Sequence, residues 1–74
     1  MEDEIQEKLQ DKYNFPIDVK YRKTGFFDIY CSLKNDSFVI PIIYDKRRTL
    51  ESNISNIIMK IDNQIIKLYK KEGF

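Results

Sequence analysis

Apolar residues recur along this 74-residue chain with two different periods. Near the start, Ile5, Leu9 and Tyr13 fall four apart, the spacing of one helix face. A short helix is expected over residues 3–13. Its first turn is crowded with acids and Lys12 stands at its end, an arrangement that suits the helix dipole. Phe15-Pro16 stops it, because a residue before proline is pushed out of the α region. The period then drops to two. Ile17, Val19 and Tyr21 alternate with Asp18, Lys20 and Arg22, which reads as a half-buried strand over 17–22. Phe27, Ile29, Cys31 and Leu33 define a second strand over 26–33. Phe38, Ile40, Ile42 and Tyr44 define a third over 38–44. The helical period returns with Leu50, Ile54, Ile57, Ile58, Ile61, Ile65 and Leu68, a wide apolar stripe along a long helix over 49–72. Thr49 is the expected N-cap and Asp45 a second candidate, while Lys70, Lys71 and Gly73 are stop signals.

The turns between strands set an expected register. Lys23-Thr24-Gly25 makes a three-residue turn with glycine where positive φ is needed. It pairs Tyr21 with Phe27, Val19 with Ile29 and Ile17 with Cys31. Asn35-Asp36 is expected as a two-residue turn, both types tolerating left-handed backbone. That loop would pair Leu33 with Phe38, Cys31 with Ile40, Ile29 with Ile42 and Phe27 with Tyr44. Both hairpins then turn the same apolar set to one side. A slip of one residue would destroy that agreement, so a meander of three consecutive strands is expected. Pro41 places the third strand at an edge. The predicted class is α+β: a single domain over 1–74, ordered α-β-β-β-α, with a three-stranded antiparallel meander and a long C-terminal helix on one face.

Composition narrows the chemistry. With a single cysteine and no histidine, an internal disulfide, Cys/His zinc sites and histidine acid–base catalysis are ruled out. No apolar run approaches the 18 residues of a membrane-spanning helix, and the acidic start is unlike a signal peptide, so a cytoplasmic protein without membrane contact is expected. Cys31 reads as a buried apolar residue. Asp28 and Lys20 face each other and read as a cross-strand ion pair. No catalytic constellation, metal site or cofactor motif is found, and a non-enzymatic protein is expected. Abundant isoleucine, lysine and asparagine, with no alanine, point to an AT-rich genome, such as a low-GC bacterium or its phage. Net charge is +1, with acids gathered in residues 1–11 and a basic excess beyond them.

Three surfaces remain as binding candidates. The outer sheet face gathers Phe26, Tyr30, Val39, Pro41 and Ile43, and is open if both helices cover the inner face. Phe26, Tyr30, Val39 and Ile43 are its expected partner-binding residues. Lys46, Arg47 and Arg48 precede the long helix and are the expected anion or nucleic-acid contacts, since helix N-termini attract phosphate. Met59 and Ile66 lie opposite the core stripe. With Tyr69 in the overhanging last turns, and Phe74 beyond them, they are the expected self-association residues of a homodimer.

The element order, with Lys46-Arg47-Arg48 at the start of the second helix, is similar to the double-stranded-RNA-binding domain. That resemblance is architectural and implies duplex binding through Lys46, Arg47 and Arg48 as an alternative function. It departs at three points. The Lys23-Thr24-Gly25 hairpin lacks a Gly-Pro-x-His loop, the basic cluster is not Lys-Lys-x-Ala-Lys, and the first helix is acidic. The leading expectation is a small protein-binding module, phage-encoded, that inhibits a host protein engaged in nucleic-acid handling or defence.

Overall fold

The computed structural model describes residues 2–71. It runs α1 (Glu2–Lys12), β1 (Ile17–Lys23), β2 (Phe26–Ser32), β3 (Ser37–Ile43) and α2 (Leu50–Lys71). The class is α+β, and the sheet is an antiparallel meander ordered β1-β2-β3. Gly73 and Phe74 lie outside the described residues.

One face of the sheet is apolar, and both helices lie on it. Ile5 and Leu9 of α1 join Ile54, Ile57 and Ile61 of α2 over Ile17, Val19, Phe27, Ile29, Cys31, Ile40 and Ile42. Burying one such isoleucine stabilises the fold by about 1.5–3 kcal/mol, so this cluster is the main source of stability. Tyr13 ties the two helices together. Its hydroxyl donates to Asp62 Oδ1 on α2 at 2.6 Å, while its ring lies 5.0 Å from that of Phe15.

The first helix also guards an edge. β1 is an outer strand, and the N–H groups of Ile17, Val19 and Tyr21 point away from β2. Ile17 N–H donates to Gln10 Oε1 at 2.9 Å and Val19 N–H to Gln6 Oε1 at 3.1 Å. Tyr21 N–H donates to the Glu2 carboxylate. Four helical residues rise about 6 Å and two strand residues about 6.7 Å, so the two ladders stay in step.

The first hairpin follows the expected pairing, from Ile17 with Cys31 to Tyr21 with Phe27. Gly25 takes φ +80°, the conformation for which glycine was required. The register shifts between Tyr21 and Lys23, so Arg22 and Lys23 together stand opposite Phe26 in a β-bulge.

The second hairpin differs from expectation by two residues. Phe27 pairs with Ile42, Ile29 with Ile40 and Cys31 with Phe38, and Ser32 faces Ser37. Leu33 lies outside the strand, where its N–H donates to Asp36 O at 2.8 Å, and Tyr44 N–H donates to Gly25 O at 2.7 Å. A two-residue turn at Asn35-Asp36 would need left-handed backbone, and among the described residues only Gly25 has positive φ. The longer connection avoids that cost, and Asp36 Oδ1 instead accepts from Ser37 N–H at 2.8 Å. Because side chains alternate with period two, this slip leaves every residue on its expected face.

The expected ion pair between Lys20 and Asp28 is also replaced. The two residues are paired in register, but Lys20 Nζ lies 3.2 Å from Asp18, and Asp28 lies 3.8 Å from Arg22 Nη1. The bulge brings Arg22 back toward Asp28, while Lys20 reaches its own strand neighbour.

α2 begins where Thr49 Oγ1 accepts the N–H of Ser52 at 3.0 Å, the expected cap. Asp45 does not share that role, since its carboxylate turns back to accept from Arg47 N–H at 3.0 Å. A buried residue that pattern reading passes over holds the connector in place. Asn53, only 6% exposed, accepts from Asp45 N–H and donates to the carbonyls of Asp45 and Thr49.

Ile61 sits fully buried at the centre of the α2 stripe, whereas Met59 is exposed. Ile61→Ala is expected to cost about 2–5 kcal/mol. That is a large share of the roughly 4–11 kcal/mol typical of a domain of this length. Met59→Ala should leave the denaturant midpoint nearly unchanged. Equal effects of the two substitutions would contradict the helix phase described here.

Candidate docking surface on the outer sheet face

With α1 and α2 on the inner face, no described element covers the outer one. β2 contributes Phe26, Asp28, Tyr30 and Ser32, and β3 contributes Ser37, Val39, Pro41 and Ile43. The observed register sets Phe26 directly opposite Ile43, Asp28 opposite Pro41 and Tyr30 opposite Val39. The four expected partner-binding residues therefore form two cross-strand apolar pairs with a proline between them. Ile43 is 66% exposed, Val39 49% and Tyr30 40%. Phe26 is partly covered, because Lys23 Nζ lies 5.0 Å and Arg22 Cζ 6.0 Å from its ring centre. The stripe they make is two strands wide and about 14 Å long, at 3.4 Å per strand residue.

β1 supplies the charged flank of this face. Its Asp18 is paired with Lys20, and its Arg22 reaches Asp28 of β2. No acidic side chain among the described residues pairs with Lys23, so the flank carries a net positive charge.

The basic cluster is divided by the connector that carries it. Arg47 Nε and Nη2 reach the Asp45 carboxylate at 3.2 and 3.4 Å, and this holds Asp45 below the usual carboxylate range. Arg48 N–H donates to Asp45 O, and its side chain is exposed. Lys46 stands apart at the rim of a cavity of about 420 Å³. Tyr21, Phe27 and Tyr44 wall that cavity, with Tyr21 and Tyr44 edge-on to Phe27 at 5.6 and 6.4 Å. The alternation that marks Tyr21 as an inner-face residue does not show that its ring lies outside the core cluster, 55% exposed.

The expected self-association residues separate as well. Met59 and Ile66 are exposed one heptad apart on the side of α2 away from the core. Tyr69 is turned elsewhere, lining a hollow with Leu33 and Lys34 beside the β2–β3 loop.

Cys31 is fully buried on the inner face, and burial pushes its thiol from an ordinary 9.0 up to about 11. Tyr13 is likewise pushed up, by burial and then by its hydrogen bond to Asp62. No protein-family model, curated protein or solved structure matches the chain.

Both raised groups act in one direction on stability. Their protonated forms are favoured by folding; the Cys31 contribution is complete below about pH 9 and is lost as pH climbs through 11, and that of Tyr13 begins to be lost only above pH 10. Alkylation of Cys31 at pH 8 is expected to run at least tenfold slower in the native protein than in the urea-unfolded chain. Equal rates would place the thiol outside the core.

Proposed function

We propose that this chain is a non-enzymatic protein-binding module that seats its outer sheet face on another protein and occludes it. One observation carries this reading. Both helices lie on the inner face, yet Phe26 pairs with Ile43 and Tyr30 with Val39 on the uncovered one, on either side of Pro41. Packing within the chain gives Val39 and Ile43 no reason to be apolar. Scattered apolar surface residues are ordinary, but two cross-strand pairs joined along β3 by Pro41 form a patch of the kind that marks interaction sites. The AT-rich composition fits a phage source and hence a host protein as the target.

Duplex binding through Lys46, Arg47 and Arg48 is the alternative that the test must separate. The pairing of Arg47 with Asp45 and a net charge of only +1 weigh against it. The experiment recovers a partner from nuclease-treated lysate of a low-GC bacterium and measures its affinity for two sets of variants. Tyr30→Ala and Ile43→Asp are each expected to weaken binding by roughly 30-fold, since anchors at the centre of an interface carry most of its energy. Reversing the three cations should alter mainly association rate and salt dependence. Loss of binding with the charge reversals alone, together with a steep fall in affinity with salt, would overturn the docking reading in favour of phosphate contact.

A further inference from the structure

We infer that the occupant of the outer face is a single amphipathic helix of the partner, with acidic side chains flanking its apolar stripe. This rests on the docking reading above and adds the shape and charge of what docks. Three features of the sheet lead to it.

First, strand addition is opposed at both edges. On β1, the outward N–H groups are already bonded to Glu2, Gln6 and Gln10. On β3, the outward groups belong to Ser37, Val39, Pro41 and Ile43, because Phe38, Ile40 and Ile42 turn theirs to β2. Pro41 has no N–H to give, and Ser37 N–H is held by Asp36. An added strand would thus find only Val39 and Ile43 able to donate, with a gap between them. A partner has to come onto the face.

Second, the apolar part of that face is narrow. It is two strands wide; Asp18 and Lys20 are paired on β1 beside it, and Arg22 reaches from β1 to Asp28, which stands opposite Pro41 in its middle. A docked sheet would bury those ion pairs, at a desolvation cost their attraction does not reliably offset. A helix about 10 Å across covers two strands and leaves the Asp18–Lys20 pair of β1 in water. Apolar side chains at i, i+3 or i+4, and i+7 span about 10 Å, within the roughly 14 Å of the stripe.

Third, the stripe is rimmed by cations. Arg22 and Lys23 both lie against Phe26 at its end, and Lys23 has no acidic partner among the described residues. An acidic side chain on the incoming helix would pair with Lys23 at the partly dry margin of the contact.

The test lets the surface choose. A displayed library of helical hairpins, randomised on one helix face, is selected against the protein. The winners are then measured on the wild type and on Ile43→Asp, Tyr30→Ala and Lys23→Glu. A fluorescent 15-nucleotide thymidine strand is titrated in parallel. The inference expects apolar residues at helical spacing with neighbouring Glu or Asp. It also expects at least tenfold weaker binding to Ile43→Asp, three- to tenfold weaker binding to Lys23→Glu, and no binding of the oligonucleotide. Winners that need Tyr30 and Ile43 but are basic or not amphipathic would overturn the acidic helix and leave the docking face standing. Winners indifferent to both substitutions, or no winners, would overturn the docking face with it. Oligonucleotide binding lost in Tyr30→Ala would assign the face to base stacking instead.

Discussion

Ile29 and Cys31 of the central strand have no exposed surface, because two helices meet above them. That double coverage of one sheet face is the constraint on which the remaining structure depends. A domain of this size buries only about 60% of its unfolded surface, so neither helix can be spared to cover the other side. α1 has to lie along β1, which places Glu2, Gln6 and Gln10 against that strand's open N–H groups. α2 has to turn back over the sheet after β3, which is why its connector is held by the buried amide of Asn53. The outer face is left to water or to a partner.

The exposed features differ in how well the fold already satisfies them. Arg47 has Asp45, Arg22 has Asp28, and Lys20 has Asp18, all at distances where exposed charges largely neutralise one another at modest gain. The first turn of α2 is capped by Thr49 and carries Glu51. These groups have lost part of their reason to bind an anion. Val39 and Ile43 on the outer face have no such partner among the described residues, and both are exposed. This difference makes the sheet face a stronger interaction surface than the basic connector.

Much of the fold was legible because period-two and period-3.6 spacing are read directly from residues such as Ile17, Val19, Ile57 and Ile61. Faces were legible for the same reason, and they survive the two-residue slip of the second hairpin. The slip itself was not legible. Asn35-Asp36 has the composition of a tight turn, and the choice of a longer loop depends on backbone cost and pairing along the whole strand. Phe26, Tyr30, Val39 and Ile43 could be assigned to the outer face from alternation. Their direct pairing required the true register. The edge ladder of Glu2, Gln6 and Gln10 left a signal in its four-residue spacing, but polar residues at that spacing ordinarily read as a solvated face. Asn53 left none, since a lone asparagine at the margin of an apolar stripe does not reveal that it bonds a loop.

The central claim is that Val39 and Ile43 face water while Ile5 of α1, Ile57 and Ile61 of α2 and Ile29 of β2 do not. Methyl NMR in the presence of a soluble gadolinium chelate tests it most directly, because relaxation enhancement falls steeply with distance from solvent. At low micromolar concentration the account predicts strong broadening for the methyls of Val39 and Ile43. It predicts near-complete protection for those of Ile5, Ile29, Ile57 and Ile61. Protection of Val39 and Ile43 comparable to that of Ile29 would show that an element of the chain covers the outer face, and would contradict the account.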